Sequence, residues 1–332
     1  MRDLITLRVT SFLLLAVAGA CAQAPASIPA QSNPVIWVDP GDISSKNLYW
    51  GIGGEKHQPT PPFEFVEEDL HGTNPKFDVR DSNDKKWHLK LGAEAQPEVA
   101  ASRLLWAVGY AANEDYLVKN VHVNRLPAHL HRGNQFILNG GDITKARLQK
   151  RPEHEKKVGE WDWKENPFTG KREFNGLRIM MALIRNWDLK DDNNAILEDD
   201  GGQQIYAVSD VGTAFGSPGK RYTSAQSKGN LKEFRRGRLI AKRTSDYIDL
   251  NFPALPPPLL QIFEPRLYFN QAHIRWTGKH IPIADARWIG SLLARISPDQ
   301  IRDCFRAAGY SQVEVEGYTE VLLSRIEELK HL

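Results

Sequence analysis

The sequence predicts an α+β protein, β-rich in its first part and mainly helical in a larger second part. Three observations predict it. Short strand-like runs separated by turn residues fill 63–91, and a single helical pattern follows them. A long apolar run, Leu177 to Ile184, reads as a buried helix, and well-capped helical patterns close the chain. Composition agrees: of 332 residues 41% are hydrophobic and 25% charged, with Lys+Arg 43 nearly balanced by Asp+Glu 41. Such a mix excludes a mostly disordered chain, a polytopic membrane protein and a globally basic nucleic-acid binder. With 2 cysteines, a disulfide scaffold and a Cys-rich zinc framework are excluded as well.

The elements are justified in chain order. Arg2 and Arg8 flank the start of an apolar run, Ser11 to Ala20, too short to span a bilayer but matching the core of a signal peptide. Cleavage after Ala22 gives a leader of 1–22 and a soluble product. Cleavage before Cys21 gives a lipoprotein signal of 1–20 and a lipid anchor on that thiol, although Ala18 stands where such signals usually carry Leu. Residues 23–45 read as a flexible tether and 46–332 as the folded domain, its β-rich part about 46–140 and its mainly helical part about 141–332. The mature chain carries no transmembrane helix, and its expected location is outside the cytoplasm.

Phe63, Phe65 and Val66 begin a first strand, which His71-Gly72-Thr73-Asn74-Pro75-Lys76 interrupts. Phe77 to Arg80 is a second strand, and Asp81-Ser82-Asn83-Asp84 is a turn of the Asx type. Lys86 to Leu91 is a third strand, with Trp87, Leu89 and Leu91 alternating against His88 and Lys90. A helix is framed by Pro97 at its start and Gly109 at its end, with Glu98 in its first turn. Tyr116 to Val123 and Asn134 to Leu138 read as further strands. His129 and His131 read as a surface pair, and Trp161 and Trp163 as packing residues.

The strongest signal is Asn186-Trp187-Asp188-Leu189-Lys190-Asp191-Asp192-Asn193 directly after the buried helix. An apolar strand follows, then Ile205 to Val208 and the sequence Ser209-Asp210-Val211-Gly212. An Asp-Leu-Lys triplet or an Asp-x-Gly turn alone is usually structural. Their order is what informs: strand, Gly-containing turn, strand, Lys-bearing strand, helix with Glu, buried helix, Asp-x4-Asn, strand, Asp-x-Gly.

That order resembles the protein-kinase-like superfamily, over 63–332, in a divergent or atypical form. The usual His-Arg before the catalytic Asp is Asn186-Trp187 here. The Gly-x-Gly-x-x-Gly loop is reduced to Gly72-Thr73-Asn74-Pro75-Lys76, and no Ala-Pro-Glu follows Gly212. Single-glycine loops are similar to those of secretory-pathway, HipA-like and phosphatidylinositol kinases, without singling out one branch. The resemblance implies a bilobal catalytic domain, its two lobes being those β-rich and helical parts, and ATP with Mg²⁺ or Mn²⁺. It implies Asp188 as the residue that orients the acceptor hydroxyl and Lys190 beside the transferred phosphoryl group. Asn193 and Asp210 become the metal ligands. Lys90 holds the α/β-phosphates with Glu98 as its partner (Glu94 competing for that role), and Gly72 and Lys76 lie in the nucleotide loop.

The basic stretch after Gly212 (Lys220, Arg221, Lys228, Lys232, Arg235, Arg236, Arg238, Lys242, Arg243) reads as a solvated face or as the docking region of an anionic acceptor, whether protein, glycan or lipid head group. Sparse aromatics there disfavour nucleic acid. Pro253 to Pro258 reads as a rigid connector. Three helices close the chain, the middle one opened by Ser297-Pro298-Asp299-Gln300 and carrying Cys304 as a buried small hydrophobe. Two alternatives stand beside the phosphotransferase: a kinase-like pseudoenzyme or AMP transferase, and a non-enzymatic exported surface protein.

Overall fold

A computed structural model describes residues 33–72, 74–150, 155–217, 227–252 and 275–332. The leader, Cys21, the Pro253–Pro258 connector, Thr73, Lys220 and Arg221 lie outside these residues. The fold is mixed α/β.

The part of the expected tether that is described, 33–45, is packed rather than flexible. β1 (Pro34–Val35) pairs in parallel with a later strand, with Pro34 opposite Gln204. Ile36 and Ile43 are buried, and the Trp37 indole donates to the Val108 carbonyl at 2.7 Å. Ile36 and Ile43, with the half-buried Val35 and Trp37, supply the apolar burial that offsets the cost of ordering it.

β2 (Phe63–Glu68), β3 (Lys76–Arg80) and β4 (Lys86–Lys90) form the expected meander. Its tight turn is organised by Asp81: Oδ1 accepts from the Asn83 and Lys85 amides at 2.9 and 3.0 Å, and Oδ2 from the Trp87 indole at 3.0 Å. α1 (Ala95–Ala107) follows, then β5 (Asp115–Asn124), the two-residue β6 (Ile137–Leu138) and β7 (Asp142–Lys150). Of the strand expected from Asn134, the first three residues form a 3-10 turn. The sheet order is β4-β3-β2-β5-β7-β6, and β4 also pairs with β7, so five strands close into a ring. Phe63, Phe77, Val79, Trp87, Leu89, Tyr116, Val123 and Leu148 fill its interior as one apolar cluster. Strand alternation then sends Lys90, His88 and Arg147 to the outer face.

β8 (Glu155–Gly159), β9 (Asn194–Asp199) and β10 (Gln204–Val208) join β1 in a second sheet, with α2 (Arg172–Leu183) between β8 and β9 in sequence. α3 (Leu231–Arg236) precedes β11 (Ile240–Arg243) and β12 (Tyr247–Leu250), and β13 (Ile281–Pro282) completes a three-stranded sheet. The closing helices are α4 (Ile283–Leu293), α5 (Pro298–Ala307) and α6 (Gln312–Lys330). The capping box on Ser297 is present as expected, and Ser311 with Glu314 forms a second. Gln300 does double duty, since its amide nitrogen also donates to the Ile43 carbonyl at 2.8 Å and ties the N-terminal segment to α5. Among the described residues no helix is long and apolar enough to cross a membrane.

Buried apolar residues fall into two clusters, and neither respects a boundary at residue 140. β7 belongs with the ring. α1 places Val99, Ala100, Leu104 and Leu105 in the larger cluster, beside α2 and the closing helices. The helix therefore shows its apolar side to one core and its polar side to the ring.

Candidate active site

Lys90 ends β4 and is 4% exposed, not the solvated lysine that a lone strand lysine usually is. Its ammonium meets three carboxylates: Glu98 Oε2 at 2.9 Å, Glu94 Oε2 at 3.1 Å and Asp210 Oδ2 at 3.2 Å. Glu94 and Glu98 come from the start of α1, one turn apart. Asp210 comes from the turn after β10, a hundred and twenty residues along. Burial opposes the charge on Lys90, yet Glu98 and Asp210 outweigh it and raise its pKa above the ordinary lysine value. Burial pushes the Glu98 pKa up, against the pull of Arg147 and Lys90. For Asp210 burial is again the opposing influence, but Lys90 and the Gly212 amide, which donates to Oδ1 at 3.0 Å, hold its pKa down.

Glu94 sits just before α1 and gives that helix no side-chain cap. Its carboxylate is engaged elsewhere. Besides Lys90 it accepts from Asn74 Nδ2 at 2.5 Å and pairs with Lys228. Gly212 is needed where it passes Glu94, since a Cβ there would lie 2.7 Å from Glu94 Cβ. The three carboxylates offer oxygens within 4.8 Å of one another, a spacing compatible with a cation. Lys90 touches all three, so the cation this trio holds is the ammonium itself. Glu94 and Glu98 side chains are 4% and 1% exposed, whereas Asp210 is 35% exposed, so Asp210 is the member a ligand can reach from solvent.

The second group lies on the loop after α2. Lys190 Nζ is 2.9 Å from Asp188 Oδ1, and the two side chains are 54% and 27% exposed. Burial works against the Lys190 charge, but the Asp188 hydrogen bond prevails and raises its pKa. Asn193 Nδ2 donates to the Asp188 carbonyl at 2.6 Å, which orients the amide and leaves Oδ1 as the atom available to a cation. The Asn193 carbonyl in turn accepts from the Ser209 amide at 2.9 Å and the Asp210 amide at 3.3 Å. This backbone bridge joins the two groups: Asp188, Lys190 and Asn193 on one side, Asp210, Lys90 and Glu98 on the other.

Gly72 and Lys76 join neither group by direct contact. Gly72 is exposed with φ of 65°, and its carbonyl accepts from Arg132, which also holds the Asp69 carbonyl at 2.9 Å. Lys76 pairs with Asp69 at 3.2 Å; it sits opposite Lys90 in the β3–β4 register and so shares its face. The loop reaches the site through Asn74. The predicted surface histidines are exposed, with His131 Nδ1 2.9 Å from Glu68. Trp161 and Trp163 are buried, and burial pushes the Cys304 thiol up to about 12.

Arg147, Asp115, Asn74 and Lys228 were not among the expected site residues. The alternation Lys145-Ala146-Arg147-Leu148-Gln149 was a signal for β7, but alternation reads a charged residue as facing solvent. Three residues of the basic stretch meet acidic partners: Lys228 with Glu94, Arg236 with Glu233 at 2.7 Å, and Arg235 with Glu320 at 2.9 Å.

No protein-family model matches the chain, and no curated protein matches it. The crystal structure of a Helicobacter pylori proinflammatory kinase, CtkA, is similar, with a TM-score of 0.47 and 12% sequence identity, covering 82% of this chain and 97% of that one.

Proposed function

We propose that the protein is an exported, metal-dependent phosphotransferase that moves the γ-phosphate of ATP to a hydroxyl of an acceptor. The observation that carries this reading is the convergence on Lys90 of Glu98 from α1 and Asp210 from the turn after β10, with Asp210 bridged through Asn193 to the Asp188 loop. Phosphoryl transfer is mostly positioning and charge neutralisation, and this arrangement supports both. Lys90 is a fixed cation for phosphate oxygens. Asp188 would orient the acceptor hydroxyl and receive its proton. Lys190, beside Asp188, would meet the charge developing on the transferred group.

The fit to a divalent cation rests on the donor set. Asn193 Oδ1 and the solvent-reaching Asp210 carboxylate are hard oxygen donors, the kind Mg²⁺ and Mn²⁺ take. When bound, such an ion supplies Lewis-acid neutralisation of phosphate oxygens. The two apolar clusters support a two-lobed reading with its cleft near Lys90, although the division runs differently from the one expected at residue 140.

Incubation with ATP labelled separately at the α and γ positions, with Mg²⁺ or Mn²⁺, tests the reaction on protein, glycan and lipid acceptors. Label from the γ position in a product is the expected result. Label from the α position would instead assign AMP transfer, and no product from either would leave a pseudoenzyme. Export is tested separately, by sequencing the N-terminus of protein recovered outside the cytoplasm.

A further inference from the structure

Arg147 is 1% exposed on β7, and its Cα partner across the β4–β7 pairing is Lys90. Two cations directly opposite in a sheet repel. The Glu98 carboxylate lies between them, with Oε1 2.6 Å from Arg147 Nη1 and Oε2 2.9 Å from Lys90 Nζ. The same Arg147 nitrogen is 3.3 Å from Asp115 Oδ1, and Asp115 Oδ2 accepts from Ser102 Oγ at 2.7 Å. Ser102 is one turn beyond Glu98 on the same face of α1. The helix is therefore pinned to the ring at two successive turns through Arg147 and its partner Asp115.

We propose that Arg147 is a positioning residue that grips Glu98 from the sheet side, so that α1 stays docked and Lys90 stays aimed into the site. The proposal rests on the phosphotransfer reading only for the identity of the ligand at which Lys90 is aimed. The asymmetry among the carboxylates is the reason such a grip matters. Lys90 shares its ammonium among Glu94, Glu98 and Asp210, and Glu94 is also held by Asn74 and Lys228. Asp210 is open to solvent and is the group a cation would recruit. A phosphate arriving at Lys90 and a cation at Asp210 both loosen the Lys90–Asp210 pair. Glu98 has Arg147 as a second partner that takes no part in that exchange. Its position is set before ligand arrives and does not depend on Lys90 alone.

The test compares Arg147→Met, Arg147→Lys and Glu98→Gln, singly and combined. In ligand-free protein, Lys90 reactivity toward an amine reagent is read by mass spectrometry, and hydrogen exchange is read along α1. Arg147→Met is expected to raise both at least about tenfold while exchange in α4 and α6 is unchanged. ATP–Mg²⁺ affinity should fall about tenfold, recover to within about threefold in Arg147→Lys, and fall no further when Arg147→Met is added to Glu98→Gln. A folded Arg147→Met protein with unchanged Lys90 labelling and α1 exchange overturns the proposal, as does loosening spread evenly over all helices. If Arg147→Met does not fold, Arg147→Gln supplies the same comparison. Absence of ATP–Mg²⁺ binding by the wild type would sink the phosphotransfer reading, while labelling and exchange would still decide the role of Arg147.

Discussion

Lys90 and Lys190 serve the same proposed reaction from opposite surroundings. The Lys90 side chain is 6% exposed and held by three carboxylates from two distant parts of the chain, whereas Lys190 is 54% exposed and meets Asp188, two residues away. The first is fixed by the fold, and the second by the local path of one loop. Burying a charge costs several kcal/mol unless partners compensate it, so a buried cation is retained with its partners or not at all. An exposed pair costs little and can rearrange as a substrate arrives. Preorganisation is thus concentrated where phosphate would bind, and freedom where the acceptor would enter.

The largest effect expected is on the exposed side. Asp188→Ala should lower transfer by about a thousandfold while leaving ATP–Mg²⁺ affinity intact. Steady-state rates beside calorimetry would show this; unchanged turnover would reduce the loop to a structural turn.

Stability should respond in the opposite sense. Lys90→Met removes the cation shared by Glu94, Glu98 and Asp210 but leaves Arg147 on Glu98 and Lys228 on Glu94, and should cost about 2–3 kcal/mol, whereas Lys190→Met should cost about 0–1 kcal/mol. Urea unfolding of the two variants reads the contrast directly, and equal losses would erase it. Chemistry on the lysines sharpens it further: an amine reagent should modify Lys190 at least about tenfold faster than Lys90 in native protein. A matching rate would mean that the Lys90 cluster opens readily.

The smallest effect concerns the rim of the buried half. Burial by itself would raise the Asp69 pKa, but the His71 amide and Lys76 prevail and hold it at about 2, below its ordinary 3.8. A carboxylate depressed in the folded state stabilises above its unfolded pKa and loses that contribution as pH falls through its folded one. The anchoring of the β2–β3 loop should therefore weaken between about pH 4 and pH 2, and Asp69→Asn should flatten that limb of the acid-unfolding curve. An unchanged limb in the variant would show that Asp69 does not anchor the loop.

Local pattern made the meander, α1, α2, the strands flanking Asp199–Gly202 and the closing helices legible, since each rests on periodicity, capping or turn chemistry within a few residues. Asp188, Lys190 and Asn193 were legible for the same reason, being neighbours on one loop. Lys90, Glu98 and Asp210 could be ordered along the chain, but the third and fourth contacts of the cluster could not. Arg147 pairs with Glu98 across forty-nine positions and Lys228 with Glu94 across one hundred and thirty-four, and no local pattern encodes such pairings. Closure of the ring by β4 with β7 was hidden likewise, because alternation identifies a strand without naming its partner. The packing of 33–45 was hidden because the small residues before it suggest a tether, whereas Ile36, Trp37 and Ile43 carry the apolar surface that packs.

The central claim, that the Lys90 cluster and the Asp188 loop form one nucleotide site with separate duties, is tested most directly by calorimetric titration of ATP–Mg²⁺ and ATP–Mn²⁺ into wild type, Asp210→Asn and Asp188→Ala. The account predicts saturable binding by the wild type, nearly the same affinity in Asp188→Ala, and a loss of about tenfold or more in Asp210→Asn. Absence of binding by the wild type, or full affinity in Asp210→Asn, would contradict it.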